Sequence, residues 1–188
     1  MTTTSTRPGS GRPNRRIAGL VGIAAVTALA VVAIVVATRP GPATPDTIAK
    51  DQPVPAIAGT ALDGSQIDLA AYRGRPVVIN FWGPSCPPCV TELPLLAAKA
   101  KAHVADGIAI LGVLTDDPVD GAQAFATAHE ASWPTVIDPG GALKKTYHVL
   151  GRPQSFFVDR AGILRSIAIG PLNDADFEAR FAAIAGGS

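Results

Sequence analysis

A chain of 188 residues, 47% hydrophobic and 16% charged, with a formal net charge of +1, has room for one ordinary domain with a sizeable core. Beyond Thr38 twelve basic residues face fifteen acidic ones, a net −3, which excludes the basic surface expected of a nucleic-acid binder. No repeat is visible, and two cysteines exclude both a disulfide-rich scaffold and a four-cysteine zinc site.

Residues 1–16 carry Arg7, Arg12, Arg15 and Arg16, with no acid, among Thr, Ser, Gly and Pro, and read as a basic tail. Ile17 through Thr38 follow as 22 residues without charge, enough at ~1.5 Å each to span a hydrocarbon core of ~30 Å. Arginines before this segment and only Arg39 just after it put the N-terminus in the cytoplasm and the rest of the chain outside. The apolar run exceeds a signal-peptide core, so the expectation is a retained single-pass anchor. Cleavage after Val35-Val36-Ala37 would instead release a secreted domain. No cysteine follows to carry a lipid anchor. Residues 39–52 form a proline-rich spacer, semi-rigid and extended.

The folded domain is expected over residues 53–188. Asp63-Gly64 turns between short strands near Gly59–Leu62 and Gln66–Leu69. Val77 to Trp82, β-branched and aromatic, reads as a buried central strand. Val90, Leu93, Leu96, Ala97, Ala100 and Val104 recur at helical spacing, with Pro94 placed to kink that helix. Ile108–Leu114 is a second buried strand, parallel to the first in a βαβ unit. A helix near Asp120–His129, a strand at Thr135–Ile137 and a short helix near Leu143–Tyr147 follow. Strand Gln154–Val158, the turn Asp159–Gly162, strand Ile163–Ile169 and a helix over Asn173–Ala185 complete the chain. A βαβ half followed by a ββα half predicts an α/β three-layer sandwich, a mixed central sheet with helices on both faces.

Cys86-Pro87-Pro88-Cys89 stands where the central strand hands over to the helix. There the unpaired amides of a helix N-terminus favour a thiolate at Cys86, and Cys89, three residues on, lies on the same side and within reach. The pair can therefore close into a disulfide and reopen. As a structural staple it closes only two intervening residues, which restricts the unfolded chain little. A zinc site wants four ligands, whereas His103, His129 and His148 are scattered, so no metal is expected. Pro87 and Pro88 suit the first helical turn and remove two amide donors, leaving the Cys89 N–H for the Cys86 sulfur. Glu92 follows Cys89 by three residues and is a candidate base; the competing role is an acid interacting with the helix dipole.

The segment Trp82-Gly83-Pro84-Ser85-Cys86-Pro87-Pro88-Cys89, then Glu92-x-Pro94, and Gly151-Arg152-Pro153-Gln154-Ser155-Phe156-Phe157-Val158-Asp159 downstream resemble the thioredoxin superfamily, in its membrane-tethered TlpA/ResA-like branch. The resemblance covers residues 53 to 185 and implies a thioredoxin-like fold and a thiol:disulfide oxidoreductase with Cys86 and Cys89 as the redox pair and no bound cofactor. It implies a functional Glu92, a cis Pro153 facing the disulfide, and a substrate rim made of Trp82, Pro84, Ser85, Arg152 and Pro153. The Arg152 backbone would pair with an extended substrate segment, and its side chain would stand near Cys86. Ser85 departs from the tryptophan usual before the first cysteine, and Asn80 stands where ordinary thioredoxins carry a buried Asp. The implied partners are a protein disulfide, with apocytochrome c leading, and a membrane or soluble dithiol donor. An oxidase of the same fold, or a metal-handling or adhesive module, is the alternative. A copper-delivering relative would want Cys-x-x-x-Cys, and a peroxiredoxin would want Thr at Gly83.

Overall fold

Residues 48–186 are described by the computed structural model; the basic tail, the expected transmembrane segment 17–38 and most of the proline-rich spacer lie outside them. Among the described residues no helix is long and apolar enough to cross a membrane. The chain joins the fold before Pro53: Ile48 packs against the core, and the Asp51 N–H donates to the Leu164 carbonyl at 2.8 Å.

Strands β1 (Ala58–Thr60) and β2 (Gln66–Asp68) form an antiparallel hairpin. The Asp63 carboxylate closes its turn by accepting from the Ser65 amide at 2.9 Å and hydroxyl at 2.7 Å. A 3-10 turn at Leu69–Tyr72 leads to β3 (Val77–Trp82), followed by α1 (Pro87–Ala102), β4 (Ala109–Leu114), α2 (Ala122–Ala128), β5 (Thr135–Ile137) and α3 (Ala142–Thr146). Strands β6 (Gln154–Val158) and β7 (Leu164–Ile169) and helix α4 (Asp174–Ala185) end the fold. Elements lie within two residues of their expected bounds, except that α1 starts three residues before Val90. The 3-10 turns at Val104–Asp106 and Pro139–Gly141 have no periodic signal in the sequence.

The five-stranded sheet has the order β5-β4-β3-β6-β7. Parallel pairing joins β3 to β4 and β4 to β5, whereas β6 runs antiparallel to both β3 and β7. Every residue of β3 and β4 is buried, the outcome for apolar strands covered on both faces. One face packs Val77, Ile79, Phe81, Leu111, Val113 and Phe156 against Ile57, Leu69 and Tyr147. The opposite face packs Val78, Ile110 and Phe157 against Leu96 of α1 and Phe177, Phe181 and Ile184 of α4. The side chains of β3 alternate between these layers, so a one-residue slip would exchange its two core faces.

Helix α1 begins at a built N-cap. Cys86 has an extended backbone (φ −104°, ψ 97°) and Pro87 and Pro88 occupy the first turn. Leu93, Leu96 and Ala97 face the sheet, while Thr91, Pro94 and Ala98 face outward. Pro94 sits on the exposed side, and the helix continues eight residues past it to Ala102. Lys99 ties α1 to α4 through Asp174 at 2.6 Å and Glu178 at 2.5 Å.

Candidate active site

The parallel pairing of β3 and β4 and the antiparallel pairing of β6 bring three connections to the C-terminal end of β3. These are residues 83–86 after β3, residues 115–118 after β4, and residues 150–153 before β6. Ligand and reaction sites of open α/β sheets gather at this end of the parallel strands. Cys86 and Cys89 lie here as a disulfide with Cα atoms 5.3 Å apart. Cys86 is 6% exposed and Cys89 1%, so Cys86 is the sulfur nearer to an incoming partner. The Cys86 sulfur accepts from the Cys89 amide at 3.3 Å, the donor that Pro87 and Pro88 leave in place.

Beneath the pair, Trp82, Leu93, Ala126 and Ala131 close an apolar cluster around both sulfurs. Trp82 is fully buried and stacks on Phe125, ring centroids 6.1 Å apart. This corrects its expected place on the substrate rim: its ring serves as the floor of the site and presents no surface to a partner. Trp133 is half-buried against two of the apolar clusters, and Phe81 is fully buried.

Glu92 is 2% exposed. One carboxylate oxygen accepts from the Asn80 side-chain amide at 2.9 Å, and the other from the backbone N–H of Leu172 at 2.9 Å. The Asn80 amide also donates to the Ser155 hydroxyl at 2.9 Å, across the β3–β6 register that sets the two residues opposite each other. Burial raises the Glu92 carboxyl from its ordinary 4.5 to about 6; the two hydrogen bonds oppose the shift without cancelling it. A carboxylic acid titrating there changes charge near neutrality, one helical turn from Cys89. Of the two roles open to Glu92 in the sequence, its burial favours the base.

At the rim, the Arg152 guanidinium reaches toward the residue before Cys86 and is paired. It forms an ion pair with Asp117, donates to the Thr115 carbonyl at 2.7 Å, and reaches the Ser85 hydroxyl at 3.4 Å. Asp117 in turn accepts from the Ser85 amide at 3.2 Å and hydroxyl at 2.9 Å. Burial pushes the Asp117 carboxyl up, but Arg152 and Ser85 outweigh it and hold Asp117 below the usual carboxylate range. Gly83 makes room for the pair: a Cβ there would collide with the Asp117 carboxylate and the Arg152 guanidinium. Ser85 is exposed, Pro84 half-buried, and Pro153 buried behind a cis Arg152-Pro153 bond.

Asp117 lies in no motif, and Gly83 and Ser155, although inside the motifs quoted for the resemblance, have no role legible from the sequence. One signal does mark Asp117: the Asp116-Asp117-Pro118 cluster follows directly on a buried parallel strand, at the end of the sheet where sites form.

Comparison with known proteins places the chain in a family. The AhpC/TSA family model matches residues 51–167. The thiol-disulfide oxidoreductase ResA of Geobacillus kaustophilus is 30% identical over 131 residues, covering 70% of this chain and 75% of that protein. ResA of Bacillus thuringiensis subsp. konkukian is 32% identical over 108 residues, 57% of this chain, and the match spans 62% of the relative's own length. The crystal structure of a secreted Mycobacterium tuberculosis disulfide oxidoreductase homologous to E. coli DsbE superposes with a TM-score of 0.61 at 28% identity, covering 68% of this chain and 95% of the other. With its mixed sheet, its disulfide at the N-cap of α1 and these relatives, the chain belongs to the AhpC/TSA family and has the thioredoxin-like fold.

Proposed function

We propose that this protein is a thiol:disulfide oxidoreductase that exchanges disulfides with other proteins through Cys86 and Cys89. The observation that carries the reading is the Cys86–Cys89 disulfide capping α1, with a buried carboxyl of raised pKa one turn further along. In the reductive direction the Cys86 thiolate attacks one sulfur of a substrate disulfide. A mixed disulfide forms and the other substrate sulfur leaves as a thiolate. Cys89 gives its proton to the Glu92 carboxylate and attacks the Cys86 sulfur, releasing the second substrate thiolate. Two electrons have then passed from the pair to the substrate, and an external dithiol restores Cys86 and Cys89.

The finer reading is a protein disulfide reductase of the cytochrome c maturation type, held outside the cytoplasm by residues 17–38. The relatives named thiol-disulfide oxidoreductase ResA support the exchange chemistry, the TlpA/ResA-like motifs support the cytochrome c reading, and the uncharged 22-residue segment with arginines on one side supports the anchor. Run backwards, the same parts would introduce disulfides. The direction is set by the reduction potential, where 30 mV corresponds to about 1.4 kcal/mol. The test is a Cys89→Ser chain expressed in its native membrane, with identification of what is trapped on Cys86. A cytochrome precursor is the expected result. A broad set of secreted proteins would point to the oxidase instead, and no trapped protein would end the exchange reading. Protease shaving of intact cells checks the anchor: the domain is expected to be cut from outside.

A further inference from the structure

We infer that the Arg152–Asp117 ion pair is a charge-balancing device for the Cys86 thiolate, in which each partner cancels an opposite pull that the other would exert on the nucleophile. The inference rests on the exchange reading above. It concerns residues that position charge and do not themselves react.

The first observation is where the charges sit. Both groups bond to Ser85, the residue directly before Cys86: Asp117 to its amide and hydroxyl, Arg152 to its hydroxyl. The pair is thus anchored to the residue one peptide bond before Cys86. The second is burial. The side chains of Arg152 and Asp117 are 15% and 5% exposed, so water and salt screen them poorly. The third is that the arrangement is built. Gly83 leaves the space it occupies, and the Thr115 carbonyl fixes the same guanidinium nitrogen that faces Asp117.

Few other charges compete at this end of the sheet. Asp116 is paired with Lys144 at 2.5 Å and lies 4.0 Å from the Arg152 Nε. Glu92 lies on α1 itself. Trp82, Leu93, Phe125, Ala126, Ala131 and Trp133 give the sulfurs an apolar packing, and His129 stacks behind Phe125. A balanced pair therefore leaves the helix N-terminus and the Cys89 amide as the main stabilisation of the thiolate. Unbalancing the pair in either direction should be felt directly at Cys86.

The charge on Cys86 exists only in the reduced state, so the pair acts on reactivity and potential together. Removing the carboxylate leaves a cation beside the thiolate, favours the reduced form and makes the couple more oxidising. Removing the guanidinium leaves an anion there and makes it more reducing.

The test is the pH dependence of iodoacetamide alkylation of the reduced full chain, with the glutathione equilibrium measured in parallel. Asp117→Asn is expected to lower the pH of half-maximal alkylation by about one pH unit, and Arg152→Gln to raise it by a similar amount. The potentials should move in opposite directions to match. The double variant Asp117→Asn/Arg152→Gln, neutral at both positions, should return near the wild-type titration, and Arg152→Lys should stay close to it. Shifts of both single variants in one direction, or no shift in either, would overturn the inference, because a purely structural rim would weaken alike whichever half is removed. Thermal melts identify any variant that fails to fold, and the double variant then carries the comparison. If wild type itself does not react with dithiothreitol or glutathione, the exchange reading fails first, which keeps the two failures distinct.

Discussion

Asn80 and Glu92, twelve residues apart and on different elements, are joined by a 2.9 Å hydrogen bond within the protein, so that β3 holds the carboxyl of α1 beside the redox pair. Asn80 does not ionise at neutral pH, so Glu92 is the titrating member of this contact.

Replacing Glu92 with Gln follows from this. The folded state holds the Glu92 proton more tightly than the unfolded chain does, about 6 against 4.5. The stability contributed by the protonated form is therefore fully present below 4.5 and lost as the pH rises through about 6. That shift corresponds to about 2 kcal/mol. In urea unfolding, Glu92→Gln is expected to match wild type near pH 4 and to exceed it by up to about 2 kcal/mol at pH 7.5. Stopped-flow resolution of the mixed disulfide should slow and lose its dependence on pH around 6. An unchanged profile would remove Glu92 from the mechanism.

Asn80→Asp tests the same contact from the strand. It places a second carboxyl 2.9 Å from Glu92, and two carboxylates that close cannot both ionise in a buried site. The two should titrate as a unit, with the later ionisation well above that of Glu92 alone. The rise of the resolution rate with pH should move upward accordingly, and stability should fall more steeply with pH than in wild type. A profile identical to wild type would mean that the contact does not control the carboxyl.

The contrast between Glu92 and Arg152 shows what the chain makes legible. Glu92 is three residues from Cys89, and a helix fixes what three residues means, so its placement beside the pair can be read from spacing. The strand Val77–Trp82 and its handover to α1 are equally local, written in β-branched residues and two prolines. Arg152 also stands out next to Pro153, but its partner is 35 positions away, on a loop reached only through the strand order. The same holds for Ser155 opposite Asn80 and for the Leu172 amide on Glu92, 80 positions away. Trp82 turns inward for a related reason: the Phe125 ring that stacks on it comes from α2. Contacts of this kind depend on sheet register, which local pattern does not specify.

Gly83→Ala probes the rim without altering a charge. The added methyl group would meet the Asp117 carboxylate and the Arg152 guanidinium, both largely buried and fixed by Ser85 and Thr115. The ion pair must open or the loop must move, at a cost of about 1–3 kcal/mol. Thermal or urea denaturation measures this, and a variant as stable as wild type would show that the pair lies more loosely over the loop than described.

In the proposed function the Cys86–Cys89 disulfide opens and closes against another protein's disulfide. Its most direct measurement is insulin reduction by the full chain with dithiothreitol as donor, alongside equilibration of the pair with oxidised and reduced glutathione. The account predicts a reversible two-electron couple and a catalysed rate that disappears in Cys86→Ser. A disulfide inert to both reagents, or a Cys86→Ser chain as fast as wild type, would contradict it.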